Sequence, residues 1–399
     1  MQIQSAMTTQ VDAFEANPDL LDSWHEINWK KGNGIVVKLR RRIFLASKLG
    51  KAKRLRKLQR LLVSSKSNIL YSIRKVTSNS GKDTPGVDYM TYSTPSEKLA
   101  IFKELCSFDF NNSQSFPTKR IYVPKPDGRL RPIGIPTVRD RVLQQIIKNA
   151  LESEWEAKFE SSSYGFRPSR GVNDAVNIIF VSINKPNCRT WLLDLDIKGC
   201  IDNISHGFLI DKLEHFPYLS IVTEWLKAGI LHEGIFFDTN AGTPQGSIIS
   251  PLLCNIALDG IEKEIGVKVS SKGYNKQGSR SLIRYADDMI ILCYSKQDVA
   301  KAREGIIIIL GKRGLKVSEL KTRGLHICQG FDFVGFNFRI EPKDGFLRED
   351  VIYQAGEDFK YVYNKTLCLI RPSEKPIKRL ELSSKKSLQQ GEVAIPHPL

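Results

Sequence analysis

The sequence has no apolar run long enough to cross a bilayer. Its longest aliphatic run, Ile306 to Leu310, is five residues, against the roughly 18 to 20 that a spanning helix needs. Met1 to Glu15 lacks the basic and apolar regions of a secretory signal. The expectation is therefore a reducing interior compartment, with no secretion and no membrane partner. The cysteines, seven in number and without a C-x-x-C pair, offer neither disulfide partners nor a zinc site. The six histidines are scattered. Most telling is a local lack of acid: Ile27 to Lys82 holds 17 basic residues and no Asp or Glu. The formal charge of the 399-residue chain is +17, so its whole excess sits in that one segment.

Elsewhere the composition is ordinary, 41% hydrophobic and 26% charged, which excludes a disordered or fibrous chain and suits two or three domains. In the acid-free segment Ile35, Leu39, Ile43, Ala46 and Leu49, then Leu55, Leu58 and Leu62, recur at three- and four-residue steps. This spacing predicts helices with an apolar stripe and a basic face. Arg40, Arg41, Arg42, Lys51, Lys53, Arg54, Arg56, Lys57 and Arg60 supply that face. Solvated faces mix charge signs, and membrane-surface helices carry aromatics that this stripe is short of. A nucleic-acid backbone is the expected partner, because phosphate contacts supply most sequence-independent affinity.

Residues 1–26 read as loosely ordered. Beyond the basic block, a helix is expected around Glu97 to Leu105. A basic hairpin follows, from Arg120–Val123 and Leu130–Ile135, turning at Lys125-Pro-Asp-Gly-Arg129. Asp140 to Lys158 has helical spacing, and Tyr164-Gly-Phe-Arg-Pro is a loop. Further on come a strand to Asp196, helices at His206–Leu213 and Ile248–Glu264, a hairpin over 282–294, a helix over Ala300–Leu310 and a strand near Leu325.

Three carboxylates carry the chemistry. Trp191-Leu-Leu-Asp-Leu-Asp196 alternates as a strand and ends in an acid, which puts that acid at a sheet edge where ligands reach. A lone strand-end Asp is more often a simple cap, but a second acidic site changes the weighting. Leu282-Ile-Arg-Tyr-Ala-Asp-Asp-Met-Ile-Ile-Leu reads as two apolar strands with adjacent acids at the tip. Two neighbouring carboxylates in so apolar a run are costly unless a cation compensates. Hard oxygen donors of this kind suit Mg²⁺, and two ions held by three carboxylates are what phosphoryl transfer to a hydroxyl needs.

The motifs stand in a recognisable order: Lys119-Arg-Ile-Tyr-Val-Pro-Lys-Pro-Asp-Gly-Arg-Leu-Arg-Pro-Ile-Gly-Ile-Pro, Tyr164-Gly-Phe-Arg-Pro, Asp196-Ile-Lys-Gly-Cys-Ile-Asp-Asn-Ile-Ser-His, Gly242-Thr-Pro-Gln-Gly-Ser, Tyr285-Ala-Asp-Asp, Gly314-Leu-Lys-Val-Ser-Glu-Leu-Lys-Thr and Phe333-Val-Gly-Phe. Together they resemble the reverse-transcriptase block of group II intron-encoded proteins, over roughly residues 25 to 340. The region from Trp29 to Gly86 is similar to the extra N-terminal segment of these enzymes.

The resemblance implies an α+β fold, a right-hand polymerase with fingers and a palm whose antiparallel sheet has split βαβ order. It implies a basic helical N-terminal extension at 27–86, fingers at 87–185, the palm at 186–340, and at 341–399 only an incomplete thumb, the remnant of a maturase domain, followed by a tail. Asp196, Asp287 and Asp288 would be catalytic and hold two Mg²⁺, or Mn²⁺ in substitution, with the Ile197 carbonyl as a further ligand. Lys125 and Arg131 would grip the incoming triphosphate, Gln245 and Gly246 would lie by the nucleotide, and Lys321 would protonate leaving pyrophosphate. Phe333, Gly335 and Phe336 would form the primer grip. The family usually has an aromatic residue, most often Phe, under the nucleotide sugar five residues after the first catalytic Asp; this chain has Ile201. The expected function is RNA-directed DNA polymerase, a nucleotidyltransferase using intron RNA as template, a DNA or RNA primer and deoxynucleoside triphosphates. The alternative is a non-catalytic maturase, or its relic, that assists intron RNA folding and splicing.

Overall fold

The acid-free segment becomes three helices, α1 (Trp29–Lys48), α2 (Ala52–Val63) and α3 (Lys66–Val76). The structure, a computed structural model, describes residues 24–124, 128–184, 188–268, 280–342 and 366–373. Lys125, residues 1–23 and most of 341–399 lie outside these. Val36, Leu39, Ile43 and Ala46 are buried along α1, and Leu58 and Leu62 along α2. The stripe is shorter than the spacing predicts, because Ile35 is half-buried and Leu49, just past the helix, is exposed.

Next come α4 (Pro95–Cys106), the antiparallel hairpin of β1 (Thr118–Pro124) and β2 (Leu130–Ile135), and α5 (Val138–Trp155). Their ends are written in the sequence. Thr94 and Glu97 form a capping box with Pro95 in the first turn of α4, and the Thr137 hydroxyl takes the Asp140 N–H to start α5. Helices α1, α2 and α3 pack on α5, which buries 15 of its 18 residues. Each fully buried Leu or Ile contributes roughly 1.5–3 kcal/mol. Polar ties cross the same contact: Asn149 donates to Asn68 at 2.7 Å, and Gln59 to Glu154 at 2.6 Å. Arg40 donates to Glu152 at 2.5 Å and to Ser153. The Asp-Thr-Pro-Gly turn docks by backbone, with the Arg141 guanidinium on the Gly81 and Thr84 carbonyls. A Cβ on Gly86 would lie 2.6 Å from Thr137 Cα, which is why glycine stands there.

The chain then alternates between two compact units, unit 1 (residues 1–160, 199–259 and 312–315) and unit 2 (161–198, 260–311 and 316–399). This interleaving differs from the contiguous division expected from sequence. Unit 2 begins with α6 (Val172–Ile183) and β3 (Trp191–Leu195). The chain returns to unit 1 for α7 (Cys200–Asn203), α8 (His206–Lys212), α9 (Leu219–Lys227), β4 (Ile230–His232), β5 (Ile235–Phe237) and α10 (Ser250–Leu258). It re-enters unit 2 with α11 (Ile261–Glu264), β6 (Ser281–Tyr285), β7 (Asp288–Cys293) and α12 (Lys296–Gly311). It ends there with β8 (Arg323–His326), β9 (Phe331–Phe333), β10 (Phe336–Pro342) and β11 (Thr366–Pro372). The single helix expected over 248–264 is two, broken where Gly260 turns to φ +93°.

Unit 1 holds the sheet β2-β1-β4-β5, in which β4 joins β1 in parallel. In unit 2 the antiparallel sheet β6-β7-β3-β8 has the split βαβ order, and its core combines Leu192, Ile283, Ile290 and Leu292 with Ala175, Ile179 and Ile183 of α6. Strand β3 is therefore interior, and Asp196 lies past its end, not along a sheet edge. Strands β9, β10 and β11 make a third sheet. Within the stretch expected to hold only an incomplete thumb, residues 366–372 form β11, antiparallel to β10. No helix among the described residues is long and apolar enough to cross a membrane.

Candidate active site

The carboxylate cluster belongs wholly to unit 2. Strand β3 pairs with β7 so that Leu195 faces Met289. One further step of that antiparallel register sets Asp196 opposite Asp288. Strands β6 and β7 close on the pair Tyr285–Asp288, leaving Ala286 and Asp287 as the two-residue turn, with Ala286 at φ +57°. A positive φ at the first central position is usual for hairpin turns and normally takes glycine. The acids expected at the tip are therefore at the tip, beside the end of β3.

Two supports hold the turn. Residues 162–164 run alongside β6, with Tyr164 N–H donating to Arg284 O at 2.8 Å and Arg284 N–H to Ser162 O at 2.9 Å. A Cβ on Gly165 would come within 2.5 Å of the Ala286 nitrogen, so the Tyr-Gly-Phe loop lies directly on the turn. Arg284 is fully buried, and its guanidinium donates to the Ala286 carbonyl at 3.3 Å. On the other side, residues 316–318 clamp the chain after β3 through Lys198 N–H to Lys316 O and Ser318 N–H to Asp196 O. Neither bond uses the Ile197 carbonyl, while the Ile197 side chain is buried.

The electrostatics are those of crowded acids. The protein around Asp288 strips water from its carboxyl, and Asp287, Asp196 and Asp194 repel its charge, pushing its pKa up to about 6 against a partial offset from Lys321. Burial, with Asp196 nearby, also raises Asp194, which Arg323 counters at 3.2 Å. The Lys321 ammonium sits 3.0 Å from Asp196 Oδ2. It therefore rests on a carboxylate of the cluster and not free in a loop. Hard oxygen donors of one sign, short of compensating charge, fit a divalent cation. Among the described residues no three His, Cys, Asp or Glu side chains stand as a finished cage.

A second polar group belongs to unit 1. Arg131 Nε donates to Gln245 Oε1 at 3.2 Å, and Gln245 Nε2 donates to Asp202 Oδ2 at 2.5 Å. The Gln245 backbone is equally fixed, its carbonyl taking the Gly134 N–H at 2.6 Å. Gly246 has φ +109°, and a Cβ there would meet the Gly134 carbonyl at 2.7 Å. The approach of β2 requires glycine at this position. Asp202 is pressed in turn by the 242–243 backbone: a Cβ on Gly242 would meet Asp202 O at 2.4 Å, and Thr243 N–H donates to Ile201 O at 2.7 Å. Ile201 itself is half-buried.

Other expectations fare unevenly. Phe333 is buried in the core of unit 2 with Phe331 and Phe338, and Phe333 and Phe336 pair across the Val334-Gly335 turn, at φ +46° and +84°. On the basic helices Arg41, Arg42, Lys51, Lys53, Arg54, Lys57 and Arg60 are exposed and Arg56 half-buried. Arg40 is half-buried and paired with Glu152. Sequence reasoning missed Asp194, Asp202, Gly165 and Arg284. Asp194 was findable, since strand alternation puts it on the face of Asp196, and Arg284 was signalled as a charge inside an apolar strand.

Known proteins resemble this chain. The profile described as reverse transcriptase (RNA-dependent DNA polymerase) matches residues 123–338, and that of the N-terminal domain of reverse transcriptase matches 24–105. The chain belongs to the reverse transcriptase family, among the group II intron reverse transcriptases and maturases. It is 29% identical to Protein YkfC of Escherichia coli over 316 residues, 70% of this chain and 82% of that protein. It is 28% identical to the group II intron-encoded protein LtrA of Lactococcus lactis over 373 residues, 78% of this chain but 61% of LtrA. Among solved structures, telomerase from Candida albicans covers 57% of this chain and is itself covered over 44%, at TM-score 0.41 and 15% identity.

Proposed function

We propose that this chain is an RNA-directed DNA polymerase that extends a primer on an RNA template with deoxynucleoside triphosphates. The observation that carries this reading is the meeting of Asp196, at the end of β3, with Asp287 and Asp288, at the β6–β7 turn. Nothing in the fold of unit 2 calls for like charges there, whereas a polymerase does. Mg²⁺ held by these carboxylates would supply the charge that activates a primer hydroxyl and neutralises departing pyrophosphate. The residues of the chain do the rest. Asp196, Asp287 and Asp288 would hold the ions, Lys321, beside Asp196, would hold a proton for the leaving group, and Arg131 would present a cation to a triphosphate. Exposed bases on α1 and α2 meet template phosphates.

Primer extension by the purified chain tests this. Asp287→Ala or Asp196→Ala should lower Mg²⁺-dependent extension at least about a thousandfold, since such ions are worth several kcal/mol in the transition state. RNA affinity should stay within about twofold. Wild-type protein that binds intron RNA and extends nothing would leave the non-catalytic maturase as the function.

A further inference from the structure

One cleft lies far along the chain from the carboxylates and Lys321 of the proposed reaction. It is lined by Trp24, Trp29, Arg74, Thr77 and Lys98 among others, has a volume of about 400 Å³, and falls entirely within the residues matched by the N-terminal-domain profile. Such a volume is in the range of small-ligand sites. The two indoles stand 5.1 Å apart at 60°. The Arg74 guanidinium lies over Trp29 at 4.5 Å and the Lys98 ammonium over Trp24 at 5.9 Å. No acid lines the cleft. Glu97, beside it in sequence, is spent on its own helix cap, taking the Ser93 and Thr94 N–H groups. Aromatic faces with cations against them bind nucleic-acid bases, because every base has a π-face and each is tethered to a phosphate.

We propose that this cleft takes up one unpaired nucleotide of a single-stranded RNA, the base against the indoles and its phosphate on Arg74 and Lys98. The proposal rests on the reading that the basic N-terminal helices meet RNA, and it adds selectivity for unpaired strand that a basic face alone lacks. A base held in a duplex stays stacked on its neighbours and cannot enter.

The experiment uses the full chain with a short unstructured oligoribonucleotide, the same strand annealed to its complement, and free AMP. The single strand should quench tryptophan fluorescence more than the duplex, and ultraviolet crosslinking should place adducts on the peptide carrying Trp24 and Trp29. Trp29→Leu should weaken single-strand binding roughly five- to thirty-fold, the scale of one lost base stack, with duplex binding within about twofold. Trp29→Phe, which keeps a ring, should restore most of the loss. The proposal is overturned by equal losses for both RNAs, by adducts elsewhere only, or by AMP quenching as strongly as the oligonucleotide, which would assign the cleft to free nucleotides. Exchanging Arg41 and Arg42 for Gln separates the two readings: unchanged affinity for both RNAs in that variant would remove the basic-face reading and leave the cleft to be judged on its adducts.

Discussion

The two polar clusters treat charge in opposite ways. In unit 1 Arg131, Gln245 and Asp202 pass hydrogen bonds along a row that begins in a cation and ends in an anion, and the row is complete as it stands. In unit 2 Asp194, Asp196, Asp287 and Asp288 crowd together, with Lys321 and Arg323 as partial relief. A self-satisfied row is rigid without a ligand, while a cluster of like charges is strained until positive charge arrives. Removing a member should therefore do different things in the two places: in unit 1 it orphans a partner, and in unit 2 it relieves repulsion.

The sharpest test of that contrast is Asp288→Asn. Extension should fall at least about a thousandfold, yet the metal-free protein should melt no lower than wild type. The sign with pH follows from the raised pKa. A carboxyl at about 6 in the folded protein, against 3.8 ordinarily, favours folding when protonated. That contribution is present at low pH and lost as pH rises through about 6. The melting temperature of the wild type should accordingly gain on that of Asp288→Asn as pH falls from about 6 toward 4. A variant that melts lower at every pH would show that the acids stabilise one another through a bound group.

Gly165→Ala probes the support of the turn. The added methyl cannot coexist with the Ala286 nitrogen at 2.5 Å, and a displacement of about 1 Å at reacting groups can cost roughly a hundredfold in rate. Extension should drop by about that factor while nucleotide KM changes little. Asp202→Ala tests the complete row in unit 1. Freed at one end, Gln245 and Arg131 should raise deoxynucleotide KM about tenfold with kcat nearly kept, on the scale of one charged hydrogen bond. Equal losses in kcat would place Asp202 outside substrate binding.

The smallest effect concerns Ile201, whose backbone is pinned by Thr243. Isoleucine is stiff at Cβ but covers less of a sugar face than a ring. Ile201→Phe should raise the kcat/KM preference for deoxynucleotides over ribonucleotides a few-fold, below the roughly hundredfold that shape alone reaches against an added hydroxyl. Unchanged preference would remove position 201 from the sugar site.

Most local structure near these clusters was legible because its signals are local. The β6–β7 hairpin announces itself by two apolar runs around Ala-Asp-Asp, and α5 by its three- and four-residue spacing. Strands β4 and β5 were not anticipated: three residues each are too short for a period, and β4 is fixed by parallel pairing with Thr118 and Lys119 more than a hundred positions earlier. Helix α6 buries Ala175, Ile179 and Ile183 but also exposes Ile178 and Val181, which blur its stripe in the sequence. Arg40 could be read as basic but not as already paired, since Glu152 reaches it only through tertiary packing. The division into units escaped for the same reason, as composition does not mark where a chain leaves one core for another.

That alternation has a consequence for synthesis. Strand β3 leaves the ribosome with its partner β7 still about a hundred codons away, a wait of roughly 5 to 20 s at ordinary elongation rates. During that interval Leu192, Leu193 and Leu195 have no sheet to enter, and an open strand edge is an invitation to pair with another chain. Neither unit is one unbroken stretch of the gene: a cut after residue 160 would leave the first fragment without α7 to α10 of its own unit, while the second would carry all of unit 2 with those pieces of unit 1 inserted. Nascent-chain protection, by a chaperone or by early binding of RNA to the basic helices that emerge first, would matter more for this protein than for one whose domains follow one another along the message.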